Sequence, residues 1–416
     1  MAIGAPNGAS RTQPFDRWFR YPAGFSPAAL KAAFDAVGLE RGQLLVDPFA
    51  GVATAGTTAR ARELRFRGIE AHPLIAELAN LKLKRPHALG DLEQLVDEAE
   101  ELTGEVTRYL IKHEHELVRR CFDPDTLSEL VSLRELITES DSPFRSHLKW
   151  ALLGTLREAA TVKVGWPHQR PNRPRVRRLV TDPLQRFVDR AAWITDDLAL
   201  APTGIDNRVV VGDSRLRDAW RRALGEEHPS GCVSSPPYLN NFDYADATRL
   251  ELFFWGEISS WAEMCSEVRD DMLVATTQQS SRHAAEAAWH QLDQYEIKPS
   301  LENLAASLTA LRLERVGRRG KEYDRVLPDY FAGVAKVLKQ LHHHLASDAT
   351  VAWVVGDSAP YGIYIDTPTL LADLAEEIGF RFVNDVTIRS RGERWRTNGT
   401  RHQVPLTERL LVLRRP

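Results

Sequence analysis

The sequence predicts an α/β fold: a mostly parallel sheet with one antiparallel edge strand, carrying a mostly helical insertion. Short apolar runs alternate with helix-length segments over residues 44–83, and again from residue 208 onward. Between these stretches, from residue 92 to about 204, apolar residues recur at helical spacing instead. Acids close several of the apolar runs, Asp47, Glu70 and Asp213 among them. In parallel sheets, ligands bind beyond those carboxyl ends.

Residues 1–20, rich in Gly, Ala, Ser and Pro, read as a mobile start. Ser26 as N-cap and Pro27 at the first helical position open a helix to Val37. Leu44 to Asp47 is a buried strand, broken by Pro48 to Gly51. A helix over 54–64, a strand over 66–70 and a helix over 73–83 follow. Leu92, Leu95, Val96, Ala99, Leu102, Val106 and Leu110 mark an amphipathic helix, with more helix near 126–138 and 146–160. Strand grammar returns at Arg208 to Asp213 and at Cys232 to Ser234. Residues 257–325 are polar and ambiguous, and read as a second insertion. A helix over 330–345, a strand over 350–355, a helix over 368–378 closed by Gly379, and late strands at 380–389 and 408–414 complete the chain. The late strands suit a hairpin at the sheet edge. Residues 1–91 and 205–416 then form one domain, interrupted by 92–204.

Composition narrows the function. The chain has 43% hydrophobic and 27% charged residues, a globular balance. No run reaches the roughly 18 apolar residues a membrane helix needs, and the first residues lack the apolar core of a secretory signal. These points predict a cytoplasmic protein without a membrane partner. Cys121, Cys232 and Cys265 are far apart and form no C-x-x-C pair, so neither a disulfide framework nor zinc is expected. His342, His343 and His344 point different ways on one helix, and no metal is expected there. Net charge is −3. Within it, Lys163, Arg170, Arg173, Arg175, Arg177 and Arg178 form an acid-free stretch. That stretch suits phosphates or is a solvated loop, and Pro167, Pro171 and Pro174 argue against regular structure in it.

Four places carry chemistry. Asp47-Pro48-Phe49-Ala50-Gly51 sets backbone N–H groups and a carboxylate around a small polar ligand, with Gly51 permitting close approach. Glu70 can accept both hydroxyls of a ribose. Asp213, beside Ser214, can accept from an adenine amino group or cap the next helix. In Ser235-Pro236-Pro237-Tyr238 two prolines lock the backbone. Ser235 and the Pro236 carbonyl can then accept hydrogen bonds from one exocyclic amino group, making its nitrogen a better nucleophile. Tyr238 offers an aromatic face to an extruded base. Phe242, Asp243, Tyr244 and Arg249 either line a base pocket or pack and pair. Each of these sites also fits a plainer structural role.

The chain resembles the amino-group DNA methyltransferases that use S-adenosyl-L-methionine. Their cofactor motif resembles Asp47 to Gly51, and their catalytic motif, (Ser/Asn/Asp)-Pro-Pro-(Tyr/Phe/Trp), resembles Ser235 to Tyr238. Tyr21 to Pro27 is similar to their short cofactor-contacting segment. The resemblance covers roughly residues 15–91 and 205–256, more weakly 326–416, and not the insertion. It implies a Rossmann-like methyltransferase sheet, with Tyr21, Phe25, Asp47, Phe49, Gly51, Glu70, Asp213 and Ser214 at the cofactor and Ser235, Pro236, Pro237 and Tyr238 at the reacting base. The Ser form implies N4 of a flipped cytosine in double-stranded DNA. The order of motifs puts target recognition in the insertion. One departure stands out: Ala53 occupies a place where the family often has glycine, and alanine loses easy access to positive φ. Adenine N6, RNA, or a non-catalytic nucleic-acid-binding module are the rival readings. A companion restriction or phage-defence system is left open by the sequence.

Overall fold

The structure, a computed structural model, describes residues 13–21, 25–84, 90–164, 170–174, 182–239, 243–317, 320–391 and 405–416. Its strands are β1 (Leu44–Asp47), β2 (Arg65–Glu70), β3 (Val162–Lys163), β4 (Arg170–Pro174), β5 (Asn207–Val211), β6 (Gly231–Ser234), β7 (Thr350–Gly356), β8 (Arg381–Arg391) and β9 (Leu406–Arg414). Seven form one sheet in the order β5-β2-β1-β6-β7-β9-β8. β5, β2, β1, β6 and β7 pair in parallel. β9 runs antiparallel to both β7 and β8, so the late strands form the expected hairpin closing that edge. This is the expected Rossmann-like, mostly parallel sheet with an antiparallel edge. After β1 the chain builds outward to β2 and β5; it then returns to the other side of β1 with β6. The switch point between β1 and β6 opens a crevice at their carboxyl ends.

Local chemistry explains the elements. Every residue of β1 and β6 is buried, because helices cover both sheet faces. The Ser26 side chain caps the Pro27–Val37 helix, and Gly38, at φ 64°, ends it. Gly379, at φ 114°, closes the Thr367–Ile378 helix in the same way.

The insertion is helical, as expected, with helices Gly90–Gly104, Glu116–Arg119, Pro124–Glu139, Arg145–Ala159 and Pro183–Ala199. The first stops at Gly104, short of the periodic pattern. Beyond it, Ser132 Oγ and Ser128 Oγ accept the N–H groups of Thr107 and Tyr109 at 3.1 and 2.7 Å. Side chains of a neighbouring helix thus replace the helical bonds. The insertion does not own a separate core: Leu92, Leu130, Leu148 and Phe187 share one apolar cluster with Leu74, Ile75 and Leu78 of the sheet's Pro73–Leu83 helix, and with Phe253 and Phe254.

Three expectations need correction. Regular structure does occur in the basic stretch: β3 and β4 pair antiparallel across it. Two strands alone have outward-facing edges where a proline sacrifices no bond, so Pro171 and Pro174 are tolerated. Residues 13–21 are not loose, for Trp18 and Phe19 are about 1% exposed. Residues 257–325, ambiguous in sequence, contain helices Trp261–Met264, Arg282–Leu292 and Lys298–Arg315. The last buries few side chains, Leu301, Leu308 and Arg312, so its periodicity is faint. The helix that follows spans Tyr323–His344, with Pro328 inside its first turns, which hides its true start.

Candidate active site

The turn after β1 begins with Asp47, 1% exposed. Its Oδ1 accepts the Phe49 N–H at 2.9 Å and the Ser234 hydroxyl of β6. One carboxyl thus shapes the turn and ties it to the strand that delivers Ser235. Burial raises the Asp47 carboxyl to about 7, against the lowering effect of those two donors. At the end of β2, Glu70 accepts the Gly51 N–H at 2.7 Å and the His72 N–H at 2.8 Å, one on each oxygen. Its carboxyl is raised by burial to about 6. Gly51 has φ 52°, and a methyl group there would meet nothing within 4 Å, so its backbone stays open to a ligand.

These ends surround a cleft. Of the residues expected at the site, Tyr21, Phe25, Phe49, Gly51, Glu70, Ser214, Ser235 and Pro237 line it. Asp47 lies beneath it. Asp213 is held elsewhere: Oδ1 accepts the Arg215 N–H at 2.8 Å, and both oxygens meet Arg215 Nε. It does not cap the next helix, whose N-cap is Leu216. Burial and the nearby Glu70 carboxylate hold the Tyr21 phenol well above its ordinary range, so it stays a neutral donor.

Ser235 donates its proton to the Val354 carbonyl at 3.0 Å. The same hydroxyl also makes a side-chain hydrogen bond with Tyr238, which ties the two ends of the tetrapeptide together. Pro236 is buried. Tyr238 is half-buried beside the cleft rather than lining it. The Arg391 guanidinium lies 5.0 Å over its ring. A methyl group on Gly356 would come within 2.8 Å of Tyr238 Cδ2 and Arg391 Cζ, so glycine there makes the close packing feasible.

Of the described base-pocket candidates after the tetrapeptide, one reaches the cleft, and a further wall was not anticipated. Tyr244 lines the cleft, whereas Asp243 pairs with Arg269 behind the wall and Arg249 pairs with Asp246 at 3.3 Å. Asp271, Met272 and Leu273 supply a further wall. They follow a π-helical turn, Cys265–Arg269, of the kind that recurs at functional sites. The one signal was the apolar pair Met272-Leu273 in a polar stretch.

Lys163 lies in β3, and Arg170 and Arg173 lie in β4. Arg175, Arg177, Arg178 and Phe242 lie outside the described residues, as do residues 1–12. The rings of His342 and His344 diverge, to Phe380 and Trp220. Among the described residues no three His, Cys, Asp or Glu gather as metal ligands, and no helix is long and apolar enough to cross a membrane.

The cleft fits S-adenosyl-L-methionine. It offers an acid at a strand end for ribose hydroxyls, an open glycine backbone, and aromatic walls from Tyr21, Phe25 and Phe49.

No protein-family model matches the chain. Curated relatives do. The Type II methyltransferase M.AvaI, from Nostoc sp. and from Anabaena variabilis, is 21% identical over 98% of this chain and 88% of its own length. The Type II methyltransferase M.BsoBI of Geobacillus stearothermophilus is 22% identical over 98% and 87%. Solved structures overlap it loosely. A TehB-like SAM-dependent methyltransferase from Corynebacterium glutamicum has a TM-score of 0.31 at 9% identity, covering 95% of this chain and 91% of its own. The rRNA methyltransferase aviRa from Streptomyces viridochromogenes has a TM-score of 0.32 at 11% identity, covering 99% and 88%. The parallel sheet carries a cleft at its switch point, and over nearly its full length the chain is similar to Type II methyltransferases.

Proposed function

We propose that the chain methylates the exocyclic amino group, N4, of a cytosine turned out of double-stranded DNA. The observation that carries this reading is that Ser235 and Pro237 share one cleft with Gly51 and Glu70. Names of the relatives as Type II methyltransferases support DNA as the substrate, and the Ser form of the catalytic tetrapeptide supports cytosine. When bound, the cofactor supplies an activated methyl group, so no metal or covalent enzyme intermediate is needed.

The chain's own groups orient and bind. Glu70 holds the ribose, and Phe49 and Gly51 line the methionine end. Ser235 Oγ and the Pro236 carbonyl accept from the amino group, withdrawing its lone pair from the ring. Tyr238, covered by Arg391 on one face, offers the other to the base. Asp213 reaches an adenine amino group after release from Arg215. Residues 92–204, with the β3–β4 ribbon and the arginines after it, read the target.

Ser235→Ala and Tyr238→Ala are expected to lower methyl transfer on the order of 10²-fold or more while leaving cofactor binding intact. Mass analysis of nucleosides from methylated DNA is expected to show N4-methylcytosine. Full activity in both variants, or N6-methyladenine as product, would overturn the respective part of the reading.

A further inference from the structure

Arg157 belongs to the insertion, near the end of the Arg145–Ala159 helix. Its guanidinium joins its own helix to two segments remote in the sequence. Nη1 donates to the Arg20 carbonyl at 2.8 Å, Nη2 to the Ala247 carbonyl at 2.6 Å, and Nε to Glu251 Oε1 at 2.6 Å. Its Cζ stands 4.3 Å from the centre of the Phe19 ring. The Glu251 side chain is fully buried.

Arg20 directly precedes Tyr21, and Ala247 lies three residues beyond Tyr244. Both tyrosines line the cleft, and neither belongs to the sheet. The strands alone therefore do not set their position: His72, just after β2, bonds Thr248 of the second segment, and the insertion holds both segments. Asp197 accepts the Phe15 N–H at 2.7 Å, Arg17 Nη2 at 2.6 Å and Trp18 Nε1 at 2.8 Å. Arg190 donates to the Trp18 carbonyl at 2.9 Å, and any side chain at Gly154 would strike that carbonyl at 2.5 Å. The segment leading to Tyr21 is thus laid against the insertion, and Arg157 bridges it to the Tyr244 segment with a rigid planar fork.

We propose that Arg157 is a positioning residue that sets Tyr21 and Tyr244 relative to each other across the cofactor cleft, so that the insertion helps to build the cofactor site. The inference rests on the reading of this cleft as the cofactor site. Arg157→Ala is a poor test, because it leaves the buried Glu251 carboxylate without a counter-ion and endangers the fold. Arg157→Lys keeps a positive charge for Glu251 but cannot span two carbonyls.

The test measures S-adenosylhomocysteine affinity by calorimetry, with thermal unfolding alongside, for the full chain, Arg157→Lys and Glu70→Gln. Misplaced walls are expected to weaken binding by Arg157→Lys about tenfold or more, with an unfolding midpoint near that of the unaltered chain. Glu70→Gln is expected to weaken it too. Unchanged affinity in Arg157→Lys beside a weakened Glu70→Gln overturns the role of Arg157. Unchanged affinity in Glu70→Gln moves the cofactor out of the cleft and overturns both readings. Should Arg157→Lys not fold, Arg157→Gln combined with Glu251→Gln removes the fork without stranding a charge, and the same outcomes apply.

Discussion

Asp47 and Glu70 are carboxyl groups taken out of water beside the cleft. Burial raises them from 3.8 to about 7 and from 4.5 to about 6. In that window the folded chain holds protons that the unfolded chain has released, so the folded state binds more protons than the unfolded state. Stability of the cofactor-free protein is therefore expected to be highest on the acid side and to fall as pH rises through it. Thermal unfolding across that range, with Asp47→Asn as comparison, checks this: the variant should show a flatter dependence. Cofactor affinity should run the other way, weakening as pH falls through about 6, because a protonated Glu70 is a poorer acceptor for ribose hydroxyls. Ala53 is instructive at the same scale. It sits at φ 57°, so the position does demand the left-handed region. The strain costs about 1–2 kcal/mol. Its fully buried methyl group returns about 0.8 kcal/mol, and alanine survives where glycine would serve.

At the scale of elements, the β3–β4 ribbon is the part whose role can be separated from catalysis. It carries Lys163, Arg170 and Arg173 on two short strands beyond the Arg145–Ala159 helix. Binding through phosphates releases counterions, at about 0.9 in the slope of log K against log salt per contact. Replacing the three with Gln is expected to flatten that slope for DNA by about 2–3, with S-adenosylhomocysteine affinity unchanged. Fluorescence titrations at several salt concentrations measure both. An unchanged slope would remove the ribbon from the DNA interface.

At the scale of the molecule, the insertion and the sheet domain are one body. Leu74, Ile75 and Leu78 of the sheet's helix are buried by insertion residues such as Leu148 and Leu152, in the cluster that also holds Phe253 and Phe254. Excising residues 92–204 would bare that surface and release the Trp18–Tyr21 segment from Asp197, Arg190 and Arg157. The excised chain is expected to aggregate or to lose its cooperative unfolding transition, since exposed apolar patches of this kind drive association. Sedimentation and thermal melts read the outcome. A soluble, cofactor-binding remnant would show instead that the insertion is an independent module.

The sequence by itself determined the strand ends and what stands on them. Leu44 to Asp47, Phe66 to Glu70 and Cys232 to Tyr238 are local: short runs, too short for helices, stopped by proline, glycine or an acid. Their parallel order then brings Gly51, Glu70 and Ser235 together with no further information. The tertiary structure alone decided the rest, because those contacts join residues remote in the chain. Tyr238 packed under Arg391, and Met272 and Leu273 closed a wall from a stretch without clear periodicity. No local pattern shows that Arg157 would grip Arg20 and Ala247, at separations of 137 and 90 residues. A hydrogen bond at that range depends on how the elements pack, and packing is a property of the whole chain.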